Sequence, residues 1–270
     1  MNINEKQAFG AIEDIMSKRL GFDCRQYSSS FVRRRVEVRL RATGSDLVSY
    51  KSLLQRDEKE QKALSKEMSI HVTHFFRDAD MWKVFRERVV ADLISAARLS
   101  GKRRIRIWSA GCSTGEEPVS IMICLMEHLG KDLQGFQVEL TATDIDAHTI
   151  SAARKAVYEE IQFREMDEKL RKRYFTVSED GRFRPIPEIL QRIDYRIADI
   201  HVFKKQGVDV IFCRNTVIYF SVEAKSQLYT VFYDCLNDAG FLIIGKTEIL
   251  QGEAREKFSM YDARERIYRK

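Results

Sequence analysis

The sequence predicts an α/β protein with a mostly parallel sheet, an N-terminal helical domain and a small inserted antiparallel β-subdomain. Three observations point there. From residue 104 onward, short apolar runs alternate with helical patterns, and that alternation implies crossover connections and parallel strands. Before residue 70 the apolar residues recur at helical spacing and no strand pattern appears. Only 13 Gly and 3 Pro in 270 residues, with 44% hydrophobic and 32% charged, fit a helix-rich chain with a real core and rule out collagen-like or wholly disordered architecture.

The elements follow in order. Phe9, Ile12, Ile15, Met16 and Leu20 lie on one helical face, and Gly21 is placed to stop it. Val32, Val36 and Leu40 make the apolar stripe of a second helix, with Arg34 and Arg41 turned away and Gly44 just past its end. Ser45-Asp46 caps a third helix running through Leu53 and Leu54, and a fourth runs from Glu58 to Met68. A strand over 105–108 ends in the loop 109–115, and Glu116 to Leu129 is helical. A strand over 138–143 reaches Asp144 and is followed by a helix over 147–157. Two buried strands, 208–213 and 241–244, flank a helix at about 222–236, and 258–268 reads as a terminal antiparallel pair. Tyr174 to Arg184 reads as a hairpin, because Asp180-Gly181 supplies the positive φ of a tight turn. With Ile193 to Ile197 as a further strand, residues 172–198 form the β insertion.

Composition narrows the function. No run approaches the roughly 18–20 apolar residues of a membrane span, and the first six residues lack the basic-then-apolar order of a secretion signal. The expectation is a cytoplasmic protein without direct membrane insertion. The five cysteines, Cys24, Cys112, Cys124, Cys213 and Cys235, form no CxxC pair and no zinc-ligand spacing, so reduced thiols and no metal are expected. Of the net charge of +6, +4 sits in the first 70 residues. Most of it lies in 31–41, which holds Arg33, Arg34, Arg35, Arg39 and Arg41 against one glutamate. Such a run suits an acidic partner, although a solvated helix face would also account for it.

Two glycine patterns compete for the ligand. Gly240 to Thr247 satisfies the P-loop expression GxxxxGK[ST], but its four intervening residues are Phe-Leu-Ile-Ile. Those are strand residues, too apolar to wrap a phosphate with their N–H groups. The second pattern, Gly111-Cys-Ser-Thr-Gly115, sits between a strand and a helix, where glycines let the backbone come close to a ligand. It lacks G-x-G-x-x-G, so no dinucleotide is indicated. The next strand ends at Asp144, whose carboxylate suits two ribose hydroxyls. An adenosine ligand without a phosphate chain fits, and S-adenosylmethionine is one.

Four segments then carry a resemblance. They are Thr73-His-Phe-Phe-Arg77, Trp108-Ser-Ala-Gly-Cys-Ser-Thr-Gly-Glu-Glu-Pro118, Thr143-Asp-Ile-Asp146 and Phe212-Cys-Arg-Asn-Thr-Val-Ile-Tyr-Phe220. In order and spacing the chain resembles the chemotaxis receptor methyltransferase (CheR) family over essentially its whole length. The resemblance implies a doubly wound, class I S-adenosylmethionine-dependent methyltransferase fold. It implies a helical receptor-docking domain at 1–70, a linker and helix at 71–103 that contribute to the cofactor site, and a methyltransferase domain at 104–270 with its β-subdomain at about 172–198.

It also implies residues. His71, Thr73, Arg77, Gly111, Glu117, Asp144, Asp199, Ile200, Arg214 and Asn215 would line the S-adenosylmethionine site, with Asp144 on the ribose and Glu117 on the methionyl ammonium. Glu116 is the alternative for the ammonium. Arg77 and Tyr219 would sit near the transferred methyl. The sequence departs from the family where His71 replaces the usual Asn, where Asp199 often is Asn, and where Gly245-Lys-Thr-Glu248 replaces Gly-His-Ser-Glu. The implied activity is methylation of glutamate side chains on the cytoplasmic helices of methyl-accepting chemotaxis receptors, leaving S-adenosylhomocysteine. Nucleic acid is not expected as a partner, and a monomer is. The arginines of 31–41 would dock the receptor, and the turn at 178–181 looks too short to hold a receptor tail peptide. Two rival readings stay open: a methyltransferase for RNA or a small molecule, and a non-catalytic sensor of S-adenosylmethionine or S-adenosylhomocysteine.

Overall fold

The computed structural model describes residues 3–68 and 72–270. The described chain forms two compact units: the N-terminal helices together with Tyr219–Lys225, and the remainder to Ile218 together with Ser226–Lys270.

In the helical unit, α1 (Ile3–Leu20) buries Phe9, Ile12, Ile15 and Met16. Ser28 caps α2 (Ser29–Thr43) by accepting the Phe31 N–H, and Gly44 ends it in the left-handed region, at φ 63°. Asp46 caps α3 (Leu47–Arg56) by accepting the Ser49 N–H at 2.7 Å, and α4 (Glu58–Met68) follows. Val32, Val36, Tyr50, Leu54 and Leu64 fill the space between them. One carboxylate is buried in this packing. Glu60 receives both Nε and Nη2 of Arg39, at 2.9 and 2.8 Å, and the Tyr50 hydroxyl at 2.7 Å. A buried charge partnered on both oxygens is tolerated; removing either partner would strand the other.

The larger unit opens with α5 (Ala79–Val84) and α6 (Val90–Leu99), joined by a π-turn over Phe85–Val89. Then come β1 (Arg104–Ala110), α7 (Glu116–Leu129), β2 (Gln137–Asp144), α8 (Ala147–Lys155), α9 (Glu168–Tyr174), β3 (Phe175–Val177), β4 (Phe183–Pro185), α10 (Pro187–Leu190) and β5 (Ile193–Ile197). β6 (Val208–Cys213), α11 (Val222–Cys235), β7 (Leu236–Ile244), α12 (Ala254–Lys257), β8 (Ser259–Asp262) and β9 (Ile267–Arg269) complete the chain. Among the described residues the main sheet has seven strands in the order β5-β2-β1-β6-β7-β9-β8. The first five are parallel, and β9 and β8 add antiparallel strands at one edge. This is the mostly parallel sheet that the alternation of patterns implied, in the doubly wound form that the resemblance implied.

Why the sheet forms is plain from its strands. β6 is almost continuously apolar and β1 alternates Arg104 and Arg106 with Ile105 and Ile107; Ile107, Trp108, Val210 and Phe212 are fully buried. The Trp108 indole N–H finds Thr143 Oγ1 on the neighbouring strand at 2.9 Å, so its one polar atom costs nothing. Strand order turns back beside β1, with β2 and β5 on one side and β6 and β7 on the other. Open α/β sheets bind ligands at that reversal, outside the carboxyl ends of the strands.

One expectation needs adjustment and another holds. The hairpin of β3 and β4 stands alone as a two-stranded sheet, but Ile193–Ile197 pairs in parallel with β2 as the edge of the main sheet. Alternating burial along β5 gave no clue to which sheet it joins, since an edge strand with one solvated face looks the same in either. The residues from Gly240 to Ile244 are strand β7, as their apolar side chains require. Among the described residues no helix is long and apolar enough to cross a membrane.

Candidate functional site

The carboxyl ends of β1, β2 and β6 converge on one polar cluster. After β1 the chain turns through Gly111 (φ 82°), Ser113 (φ 49°) and Gly115 (φ 97°) before α7 begins. β2 holds this turn down. The Thr143 carbonyl accepts the N–H of Gly111 and of Cys112, at 2.8 and 2.9 Å, and Asp144 Oδ2 accepts that of Ser113 at 2.8 Å. Asp144 Oδ1 takes the Asp146 N–H at 3.0 Å, so the plane of this largely buried carboxylate is fixed from both sides.

The glycines are there for protein packing first. A Cβ on Gly111 would stand 2.3 Å from Thr216 Oγ1, and one on Gly115 would stand 2.8 Å from the Tyr195 hydroxyl. The close neighbour expected at Gly111 is thus a side chain of the turn after β6. Ser113 Oγ, in contrast, is buried with no hydrogen-bond partner, beside Asp144.

The two glutamates that open α7 face different ways. Glu116 is fully buried and accepts from Thr114 Oγ1 and Gln162 Nε2. Glu117 turns to the strand ends, where it accepts the Ser109 hydroxyl at 2.8 Å and meets Arg214 Nη1 at 3.4 Å. Burial pushes the Glu117 carboxyl up, and the Arg214 charge pulls it back. Burial also raises Glu116, whose counterweights are neutral hydrogen bonds and no cation. Of the pair, Glu117 is the one with a cation beside it.

Arg214, after β6, is the cation at the centre. Its side chain is 3% exposed and also pairs with Asp78 at 2.8 Å, donates to the Arg77 carbonyl at 2.7 Å and lies over the Trp82 ring. That ties β6 to the turn 73–78, in which Phe76 and Asp78 both have positive φ. The turn is held by His74, whose Nε2 meets Glu165 at 2.7 Å, and by the Phe76 N–H on the Ser120 hydroxyl. Neither Asp78 nor His74 was singled out in the sequence; the only signal was their place beside Thr73 and Arg77.

The remaining residues fall as follows. Thr73 and Arg77 lie in this turn, with the Arg77 guanidinium donating to the Val72 carbonyl at 2.8 Å. Asn215 follows Arg214 in the left-handed region, at φ 57°. Asp199 and the buried Ile200 follow β5, and Asp199 Oδ1 accepts the His201 N–H at 2.9 Å. Tyr219 folds with the helical unit, its ring 4.8 Å from Phe31 and its carbonyl accepting the Ser28 N–H. His71 lies outside the described residues. Of the five arginines on α2, two are engaged internally: Arg39 with Glu60, and Arg35 with Glu67 at 2.9 Å. Arg33, Arg34 and Arg41 are exposed, and no described carboxylate pairs with Arg34 or Arg41. The exposed basic face is therefore narrower than a count of arginines suggested.

With the geometry in place, comparison with known proteins is decisive. Residues 71–267 match the family described as CheR methyltransferase, SAM binding domain, and residues 7–69 match CheR methyltransferase, all-alpha domain. The chain belongs to the CheR methyltransferase family. Among its relatives is a chemotaxis protein methyltransferase of Borreliella burgdorferi, 26% identical over 96% of this chain and 94% of that one. Chemotaxis protein methyltransferase 1 of Pseudomonas aeruginosa is 33% identical over 68% of each. A 104.1 kDa uncharacterized protein of Rhodobacter capsulatus is 30% identical over 97% of this chain, which spans only 27% of that protein.

The site suits the SAM of this family by the chemistry of its groups. A fixed carboxylate at the end of β2 matches vicinal hydroxyl donors, a second carboxylate in the first turn of α7 matches an ammonium, and the Ser113 hydroxyl is a buried polar atom still without a partner among the described residues.

Proposed function

We propose that this chain transfers the methyl group of S-adenosylmethionine to glutamate carboxylates on the cytoplasmic helices of chemotaxis receptors. The observation that carries the cofactor half is the pair of carboxylates Asp144, at the end of β2, and Glu117, in the first turn of α7 after β1, with Arg214 beside Glu117. The relatives' names support the chemotaxis half.

When bound, S-adenosylmethionine supplies a methyl group activated by a positively charged sulfur. Asp144 would accept from the ribose hydroxyls and Glu117 would pair with the methionyl ammonium. Asp199 and Ile200 would border the adenine, with Thr73, Gly111, Arg214 and Asn215 completing the lining. His71 joins this set on the family pattern alone. An acceptor glutamate is ionised at neutral pH, its ordinary pKa being about 4.3, so no general base is needed. Positioning is what the protein must provide. Arg77 would orient the acceptor by a charge-assisted hydrogen bond, exchanging its present contact with the Val72 carbonyl for the carboxylate. Tyr219 would line the path of the methyl group.

The exposed Arg33, Arg34 and Arg41 suit an acidic helix bundle. The double variant R34E/R41E is expected to methylate receptor at least tenfold more slowly while binding S-adenosylhomocysteine as the parent does. An equal loss of both would make this face structural. The substrate class is tested by transfer of radiolabelled methyl to receptor cytoplasmic fragments, followed by mild alkali. Volatile methanol identifies a carboxyl ester; label on RNA that resists alkali would identify the rival activity, and no transfer with intact binding would identify a sensor.

A further inference from the structure

Glu248 sits just beyond β7 and has no part in the mechanism above. Its residue is 4% exposed, yet it carries a carboxyl group with no lysine or arginine in contact among the described residues. One oxygen, Oε2, is shared by two backbone donors from different turns: the Gly245 N–H at 2.5 Å, after β7, and the Asn215 N–H at 3.3 Å, after β6. The other oxygen, Oε1, is buried without a partner. The fit leaves no slack, since a Cβ on Gly245 would stand 2.8 Å from Oε2 and 2.9 Å from the Asn215 nitrogen.

Asn215 is also one of the residues whose backbone is strained. A non-glycine residue at φ 57° costs free energy, and persists only where its surroundings hold it. The Glu248 carboxylate is what grips its N–H. Arg214, whose guanidinium meets Glu117 and Asp78, is the residue before it.

We propose that Glu248 is a positioning residue of the cofactor site, whose ionised carboxylate clamps the turn after β6 to the turn after β7 and so fixes the backbone from which Arg214 and Asn215 act. This rests on the reading of Arg214 and Asn215 as cofactor-site residues. The groups facing Glu248 are the Gly245, Asn215 and Ile218 amides and the Arg214 charge, which favour ionisation, with Cys213 on β6 and Tyr229 on α11 as neutral neighbours. Burial outweighs these and holds the carboxyl up at about 7. The clamp therefore closes as pH rises through neutrality and opens as pH falls. If only the clamped form binds, about a tenth of the protein is competent at pH 6 and nearly all at pH 8, so affinity should differ about tenfold.

The test uses the full chain and S-adenosylhomocysteine as the probe. In the parent, the Gly245 and Asn215 amide proton resonances should titrate together near pH 7, and calorimetric affinity should rise about tenfold from pH 6 to pH 8. E248Q keeps the shape and an acceptor but cannot ionise, so its affinity should be flat with pH. Amides that do not titrate in the parent would overturn the proposal, as would an E248Q protein that keeps the tenfold step. Titrating amides without binding at any pH would instead overturn the cofactor reading, and with it the clamp's place in that site. Should E248Q fail to fold, the parent decides by whether affinity follows the same titration as the two amides, because a merely structural contact would move the amides and leave affinity flat between pH 6 and pH 8.

Discussion

Replacing Arg214 by Met is expected to remove methyl transfer and to lower the melting temperature by about 10 °C. The reasoning starts from burial. The Arg214 side chain is 3% exposed, and its two carboxylate partners, Glu117 and Asp78, are 13% and 29% exposed. Taking away one member of a buried ion cluster strands the others, at a cost of about 3–5 kcal/mol. For a unit of this size each kcal/mol moves the melting temperature by about 2–4 °C. Met fills much of the same volume under Trp82, so the loss reads the charge and not a cavity. The second variant that makes the argument sharp is R214M/E117Q. With Glu117 neutral, one stranded charge is gone, and part of the lost stability should return while cofactor affinity stays low. If R214M melts within 2 °C of the parent, Arg214 is not the centre of the cluster. If R214M/E117Q recovers affinity along with stability, Glu117 is not an ammonium site.

Much of this was legible in the sequence, and for local reasons. Helix ends declared themselves because Gly21, Gly44 and Asp46 do their work within a few residues of the chain. The strand ends that carry Asp144 and the glycine turn were legible because the fold places each turn after an apolar run. The false P-loop could be set aside by asking whether Phe-Leu-Ile-Ile would cradle an anion. What stayed hidden depends on contacts between distant segments. Nothing local says that Arg39 belongs to Glu60 while Arg41 belongs to solvent, since both lie on one helix with similar neighbours. Nothing local says that Gly111 makes room for Thr216, or that β5 joins the main sheet. Glu248 was visible as the acid that closes Gly245-Lys-Thr-Glu248 after an apolar strand, but its two amide partners come from turns 30 residues apart in the chain.

The same distinction between local and distant roles decides what Asp144→Ala should do. Asp144 holds two backbone amides, from Ser113 in the glycine turn and from Asp146 at the start of α8. Losing those acceptors should cost about 1–3 kcal/mol of stability. A ribose anchored by two hydrogen bonds to a charged group should lose about 3–4 kcal/mol of binding, which is an increase in Kd of about 10²–10³. The two losses are separable. Stability is read by thermal melting without ligand, and affinity by calorimetry with S-adenosylhomocysteine at a temperature where the variant is folded. Asp144→Asn refines the result: it keeps the shape and one acceptor, so it should melt closer to the parent while still binding markedly less tightly. An Asp144→Ala protein that binds within threefold of the parent would show that the carboxylate serves only to pin the glycine turn, and the ribose would have to be held elsewhere. Intact adenosine affinity with lost S-adenosylhomocysteine affinity would point the same way, because only the first depends on the nucleoside end alone.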